Sequence, residues 1–256
     1  SDHYGGHGTH VAGSIAGNFL IDEETPGYSK YNGAAPEAKL CIDDVDDRSS
    51  TALEIPDDLE FEMFPHSYEN CGARIHTNSW GVASSAVAGA YTGYSMDVDS
   101  FAYDHDDALI LFAAGNSGAA AGTVAPPSTA KNSLSVGATN TFWERMQQIS
   151  ASAPAGTSPN QVASFSSRGP TVDGRIKPDV SCVGSEVLSA MSNPTITRCP
   201  LNYYGATEIQ SESGTSMATP LCAGGAALVR QYFTEGWWLG GTNNSGSAVS
   251  PTSALL

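Results

Sequence analysis

The sequence has few positive charges and no long apolar run. Each of these features argues against particular classes of protein. Its 256 residues include 11 Lys and Arg against 27 Asp and Glu, a net charge of −16. Nucleic acids and anionic membrane surfaces bind basic proteins, so neither is an expected partner. No apolar run approaches the roughly 18 residues of a membrane span, so we expect no membrane insertion. The length suits one large domain, which we expect to be monomeric.

The two ends of the chain lack the signals of a complete open reading frame. The first residue is Ser1 rather than Met, and no charged segment followed by an apolar leader comes after it. Residues 251–255 resemble the beginning of a helix that the chain does not continue. Both ends therefore predict a fragment, and the missing leader says nothing about export.

The cysteines are odd in number and none forms a C-x-x-C pair, which argues against a zinc cluster. Cys182 and Cys199 flank a predicted loop and could form a disulfide in an oxidising compartment. Five free or buried thiols are an equally supported alternative.

Short apolar segments alternate with helical segments along the chain. This order is typical of a parallel α/β sheet, in which functional residues gather at the carboxyl ends of the strands. Glycine-rich turns follow several of the predicted strands. The predicted strands are 38–42, 74–79, 108–113 and 133–137, and the predicted helices are 57–68, 96–106 and 215–233.

Three short motifs carry side chains that are suited to acyl transfer. His7 lies in GHGTHVAG at a predicted helix start, and Asn116 lies in AAGNSG directly after a buried strand. Ser216 lies in GTSMATP, where a helix N-terminus offers backbone N–H groups to an oxyanion. Each motif alone has a plainer interpretation: a surface or core histidine, a left-handed turn, or a helix N-cap. His7 and His10, three residues apart, could also ligate a metal.

Together, in this order, the motifs resemble those of the subtilisin-like serine proteases, the subtilases. The segments GAAP, NSWG, FSSRGP and DGRIKPDV agree as well, so the resemblance covers about residues 2–233. It implies an α/β fold of three layers, a mostly parallel twisted sheet with helices on both faces. It also implies that residues 1–256 are a partial, N-terminally truncated catalytic domain.

The resemblance also implies roles for individual residues. His7, rather than His10, matches the general base, Ser216 the nucleophile and Asn116 the side-chain donor to the oxyanion.

Four further residues match the substrate-binding positions of the family. Ser79, Trp80 and Gly81 match the segment whose backbone pairs with substrate and borders the S1 pocket, and Gly115 lies across that pocket. Trp80 suggests tolerance for large apolar side chains at P1.

The third member of the family's triad, an Asp some tens of residues before the His motif, has no match here. Only six residues precede His7, and Asp2 matches a different position. The catalytic Asp is therefore expected upstream, and this chain alone is expected to be impaired or inactive. The acidic run 43–47 is expected to be a solvated loop or a weak Ca²⁺ site.

The resemblance predicts a serine endopeptidase that acts on proteins or peptides without a required cofactor, with structural Ca²⁺ as an option. The alternative is a non-catalytic descendant that binds peptides along residues 79–81 by strand addition. A third possibility is a metal-dependent hydrolase that uses His7 and His10. The predicted location is secreted, or in a secretory or lysosomal-type compartment.

Overall fold

A computed structural model describes residues 6–18, 31–45, 53–142, 158–192 and 209–256. Its helices are α1 (His7–Ala16), α2 (Leu59–Glu62), α3 (Gly93–Asp104) and α4 (Thr215–Thr234), with a π-helical turn at His66–Asn70 and 3₁₀ turns at Ser245–Ser247 and Ser253–Leu255. Its strands are β1 (Ile75–Asn78), β2 (Leu109–Ala113), β3 (Leu134–Thr139), β4 (Val180–Val183), β5 (Val187–Ala190) and β6 (Ile209–Glu212).

Strands β1 to β4 form a parallel sheet in the order β1-β2-β3-β4, and β5 pairs with β6 in an antiparallel hairpin. Strand β2 is buried along its whole length. Because side chains alternate along a strand, Ile110 and Phe112 pack with α2 and α3 on one face. Leu109 and Leu111 pack with α4 on the other face. This is the predicted α/β fold, with a parallel sheet between two helical layers.

Helix α1 packs against α4 and β5, and two glycines allow close approach in this region. A Cβ atom at Gly224 of α4 would lie 2.5 Å from the Ala34 Cβ, in the segment that follows α1. A Cβ atom at Gly13 of α1 would lie 2.6 Å from the Ser189 Oγ of β5. A larger residue at Gly13 would push α1 away from β5, and one at Gly224 would push α4 away from the segment that follows α1.

The structure confirms most of the predicted elements and corrects one of them. Strands β1, β2 and β3 and helices α3 and α4 lie where they were predicted, within a few residues. The predicted helix 57–68 is interrupted at Met63 and continues into the π-helical turn. The strand predicted at 38–42 is wrong: a segment becomes a strand only when its backbone pairs, and no described strand pairs with it. The sequence did not predict the β5–β6 hairpin.

Two disulfides contradict both predictions that were made for the cysteines. Cys41 is bonded to Cys71, and Cys182 of β4 is bonded to Cys222 of α4. The proposed pairing of Cys182 with Cys199 is therefore wrong, as is a set of five free thiols. The wrong pairing followed proximity along the sequence, whereas β4 and α4 meet only in the folded sheet. Cys199 itself lies outside the described residues.

Among the described residues, no helix has both the length and the apolar character that a membrane span requires.

Candidate active site

Ser216 lies in the first turn of α4, and a proline four residues later shapes its surroundings. Pro220 has no N–H, so the Ser216 carbonyl lacks its usual donor within the helix. The Ser79 hydroxyl supplies that donor, with its Oγ 2.8 Å from the Ser216 oxygen. In return the Ser216 hydroxyl donates to the Ser79 carbonyl at 3.2 Å. This pair of hydrogen bonds ties the nucleophile candidate to the candidate substrate-binding segment.

Asn116 is held beside Ser216 by its side-chain oxygen. The Asn116 Oδ1 accepts hydrogen bonds from the Thr215 N–H at 2.8 Å and from the Thr215 hydroxyl at 3.0 Å. The Thr215 Oγ1 in turn accepts from the Gly115 N–H at 3.2 Å. Because the oxygen is occupied by two donors, the side-chain NH₂ group must face the other way. Thr215 is a positioning residue that the sequence did not predict, although it directly precedes Ser216 in the same motif.

Gly214 separates two hydrogen-bond donors that could bind one oxyanion. The Cβ that a larger residue would carry there lies 3.4 Å from the Asn116 Nδ2 and 3.6 Å from the Ser216 backbone nitrogen. Ser216 lies in the first helical turn, where backbone N–H groups have no acceptor within the helix. The Asn116 side-chain amide and the Ser216 backbone N–H therefore lie on either side of one open space. This space is open because Gly214 has no side chain to fill it.

His7 is the first residue of α1, and its side chain is exposed. Helix α1 packs against α4, so the two helices that carry His7 and Ser216 are neighbours. Within the described part of the chain, the imidazole has no hydrogen bond to Ser216 or to a carboxylate. Among the described residues, hydrogen bonds thus join Ser79 to Ser216 and Asn116 to the adjacent Thr215, and none joins His7 to them.

His10 is buried in the core and does not have the character of a metal ligand. Its Nε2 donates to the Val187 carbonyl at 3.0 Å, and its backbone oxygen accepts from the Ser189 hydroxyl at 2.8 Å. Burial lowers the pKa of His10, against the opposing charge of Glu212. Among the described residues, no cluster of three or more His, Cys, Asp or Glu side chains is arranged to hold a metal. These contacts disfavour a metal centre at His7 and His10.

The buried imidazole of His10 makes a prediction about stability and pH. The pKa of His10 is lowered from 6.5 on folding. Between pH 6.5 and the folded pKa, the imidazole is therefore protonated in the unfolded chain and neutral in the folded chain. The free energy of unfolding should therefore fall as the pH decreases from 6.5 towards the folded pKa, by at most about 1.4 kcal/mol per pH unit. His10→Gln should flatten this dependence in denaturant unfolding, whereas His105→Gln, at the end of α3, should keep it. An unchanged slope in His10→Gln would contradict the assignment.

The candidate substrate-binding segment follows β1 directly. The Trp80 ring packs edge-on against Tyr94 and Phe112, with ring centroids 6.2 and 5.3 Å apart. Its indole is thus half-buried against the core cluster that contains Phe112. Gly115 has a φ of +106°, and a Cβ there would lie 2.9 Å from the Ser167 Oγ, so only glycine fits this turn without strain.

Asp43 is a partly buried carboxylate whose two oxygens face two histidine rings. Its Oδ1 lies 2.9 Å from the His66 Nδ1 and its Oδ2 lies 3.6 Å from the His76 Nε2. The nearby His76 ring is the largest cause that lowers the pKa of Asp43. Sequence spacing gave no signal for this cluster, because its members come from three separate segments. Asp46 and Asp47 lie outside the described residues.

Comparison with known proteins identifies the family of this chain. A sequence profile described as the subtilase family matches residues 1–243. The match covers most of the chain, and it includes all three motifs described above. The chain therefore belongs to the subtilase family of serine proteases, a family whose substrates are proteins and peptides.

Two similar proteins show how much of a longer polypeptide this chain spans. The serine protease/ABC transporter B family protein tagD of Dictyostelium discoideum is 30% identical over all of this chain and 17% of its own length. Serine protease AprX of Bacillus subtilis is 31% identical over 88% of this chain and 48% of its own length. The chain thus spans about a sixth of one relative and about half of the other.

Solved structures agree with the assignment of the fold. The structure titled S41 Psychrophilic Protease is 30% identical, with a TM-score of 0.58 over 90% of this chain and 64% of the other. Sphericase is 25% identical, with a TM-score of 0.56 over 96% of this chain and 67% of the other. Both support a subtilisin-like α/β fold.

Proposed function

We propose that this chain is the catalytic part of a serine endopeptidase in which Ser216 forms an acyl-enzyme. The observation that carries the proposal is the pair of hydrogen bonds between Ser79 and Ser216, beside an Asn116 side chain that is held by the adjacent Thr215. A peptide-binding descendant without activity would have no use for an amide donor held beside an intact serine. The subtilase family assignment supports the same reaction.

The proposed reaction has two stages. His7 takes the proton of the Ser216 hydroxyl as the oxygen attacks the substrate carbonyl, and then gives it to the leaving amine. The Asn116 amide and the Ser216 backbone N–H stabilise the tetrahedral oxyanion. Water, activated by the same imidazole, then hydrolyses the acyl-enzyme. The proposed chemistry uses groups of the protein and water, so no cofactor is expected; a structural Ca²⁺ ion stays a prediction.

The substrate is expected to bind as an extended strand along Ser79, Trp80 and Gly81, with Gly115 across the pocket. Residues 79–81 leave β1 in a non-helical conformation, and Ser79 is bonded to Ser216 on both its side chain and its carbonyl. Backbone pairing of this kind positions a peptide independently of its side chains.

One part of the proposed machinery lies outside the described residues. No described carboxylate is bonded to His7, and an imidazole without an orienting carboxylate costs about 10⁴ in kcat in serine proteases. We propose that this carboxylate belongs to an Asp encoded before residue 1 in the full-length protein. The isolated 256-residue chain should then hydrolyse peptides about 10⁴ times more slowly than the full-length protein.

The full-length protein should hydrolyse a denatured protein substrate and lose that activity to a fluorophosphonate, while keeping it in EDTA if Ca²⁺ has no role. Loss of activity that follows zinc removal and is restored by zinc would favour the metal-dependent alternative instead. Retention of peptide binding with no hydrolysis would favour the non-catalytic alternative.

The two disulfides support a secreted protein, or one in a secretory or lysosomal-type compartment, because such bonds persist where the environment is oxidising. Four of the five cysteines are bonded, so denatured protein from its native compartment should show one free thiol, or none if Cys199 is modified. Thiol counting with and without reductant measures this number. Five reactive thiols before reduction would contradict the proposed location.

A further inference from the structure

A continuous line of polar contacts runs from Asp43 to the candidate substrate-binding segment. His76 of β1 faces Asp43 through its Nε2 at 3.6 Å, and its Nδ1 lies 3.0 Å from the Asn78 Nδ2. The Asn78 Oδ1 accepts from the Trp80 Nε1 at 3.1 Å. The line therefore ends on the middle residue of segment 79–81.

The chemistry of the contacts fixes the direction of each hydrogen bond. An amide nitrogen can only donate, so the His76 Nδ1 accepts from Asn78 and the ring proton lies on Nε2, towards Asp43. The Asn78 nitrogen also donates to the Leu111 carbonyl at 3.1 Å, which excludes the flipped amide. Asn78 is buried and has partners for both its nitrogen and its oxygen. One combination of the His76 tautomer and the Asn78 amide orientation is therefore compatible with all of these contacts.

The far end of the line is anchored by covalent and polar contacts. Asp43 is two residues from Cys41, whose disulfide to Cys71 joins this segment to the end of the π-helical turn. His66, in the same turn, binds the second oxygen of Asp43 at 2.9 Å. The Asp43 carboxylate is therefore held in place and restrains the orientation of the His76 ring.

The near end of the line adjoins the reacting serine. Trp80 follows Ser79, which exchanges two hydrogen bonds with Ser216. A shift of the Trp80 indole would displace the backbone on which a peptide is expected to pair. By contrast, the Ser216 hydroxyl is bonded to Ser79 and the Asn116 side chain is bonded to Thr215. Neither the hydroxyl nor the Asn116 side chain has a described hydrogen bond to His76 or Asp43.

We propose that His76, held by Asp43, is a positioning residue for peptide substrates, acting through Asn78 and Trp80 on the segment 79–81. The proposal rests on the proposed peptidase function and refines its substrate-binding part. It predicts that the network determines how well an extended peptide binds. It also predicts that the intrinsic reactivity of Ser216 does not depend on it.

The test compares two substrates in the full-length protein carrying His76→Phe. Phenylalanine keeps a ring against Phe64, whose centroid lies 5.0 Å from that of His76, but it removes the hydrogen bond from Asn78 and the contact with Asp43. We expect kcat/KM for an extended peptide to fall about tenfold, mainly through KM, as the loss of one hydrogen bond and one charged contact implies. The labelling rate with a small fluorophosphonate that has no peptide part should stay within about twofold.

Two further variants complete the experiment. His76→Gln offers an amide oxygen to Asn78 and should restore part of the peptide kcat/KM. His105→Phe changes a histidine stacked on Phe101, at the end of α3, and should leave both rates unchanged. Should His76→Phe not fold, Asp43→Asn is measured in the same way, with a smaller loss expected in peptide kcat/KM alone.

Unchanged peptide kinetics in a folded His76→Phe or Asp43→Asn protein would overturn the proposal. A parallel fall of peptide cleavage and small-probe labelling would also overturn it, because a general disturbance of the site would then explain both. Failure of the proposed function looks different: the unmodified protein would neither cleave the peptide nor react with the probe.

Discussion

Replacing Ser216 with alanine in the full-length protein should lower kcat for a peptide substrate by about 10⁶-fold, the order of loss known from subtilisin when its nucleophile is removed. The physical reason is that, among the described residues, the Ser216 hydroxyl alone is bonded to the Ser79 carbonyl, at the helix start beside which Asn116 is held. The measurement is peptide hydrolysis under saturating substrate. Substrate binding should persist, since the backbone of segment 79–81 is untouched.

Ser213→Ala provides the matched control for that substitution. Ser213 lies three residues earlier, and its hydroxyl is bonded to Glu186 rather than to any residue of the site. Its removal should leave kcat within about twofold of the unmodified protein. Residual activity of Ser216→Ala at the unmodified level would show that a different group performs the reaction.

The second large effect is expected for Asn116→Asp, which changes one atom type at the candidate oxyanion site. The aspartate can keep the two hydrogen bonds from Thr215 to Oδ1, but an oxygen replaces the donating NH₂ group. Loss of such a donor lowers kcat by about 10²–10³. The carboxylate charge opposes the oxyanion and should make the loss at least as large. KM should change little, because the oxyanion forms only in the transition state.

The control for this substitution is Asn160→Asp, on an exposed turn far from the serine in sequence. It adds the same charge, and we expect kcat to stay within about twofold. A change in KM alone for Asn116→Asp would contradict the role in the oxyanion site and would place Asn116 in substrate binding instead.

The sequence predicted those elements whose pattern of apolar residues matches their burial in the folded protein. Strand β2 is a continuous apolar run because helices cover it on both faces, and this was visible before folding. Segment 38–42 has a similar composition, but pairing depends on a neighbouring strand that composition does not reveal. The β5–β6 hairpin has only four residues in each strand and little apolar patterning, so no period marked it.

The candidate site was predictable where short motifs carry its residues, and not where distant segments meet. The motifs around His7, Asn116 and Ser216 could be read one by one. The contact between Ser79 and the Ser216 carbonyl had a usable signal, because Pro220 removes the donor that this carbonyl would otherwise have. The cluster of Asp43, His66 and His76 joins three segments, and only the folded chain brings them together.

The most direct test of this account is to treat the full-length protein with a fluorophosphonate and to locate the label by tandem mass spectrometry. The account predicts one modification, on the Ser216 hydroxyl, that Ser216→Ala abolishes and Ser213→Ala retains. A label on another serine with peptidase activity lost in parallel, or an active protein that takes up no label at all, would contradict it.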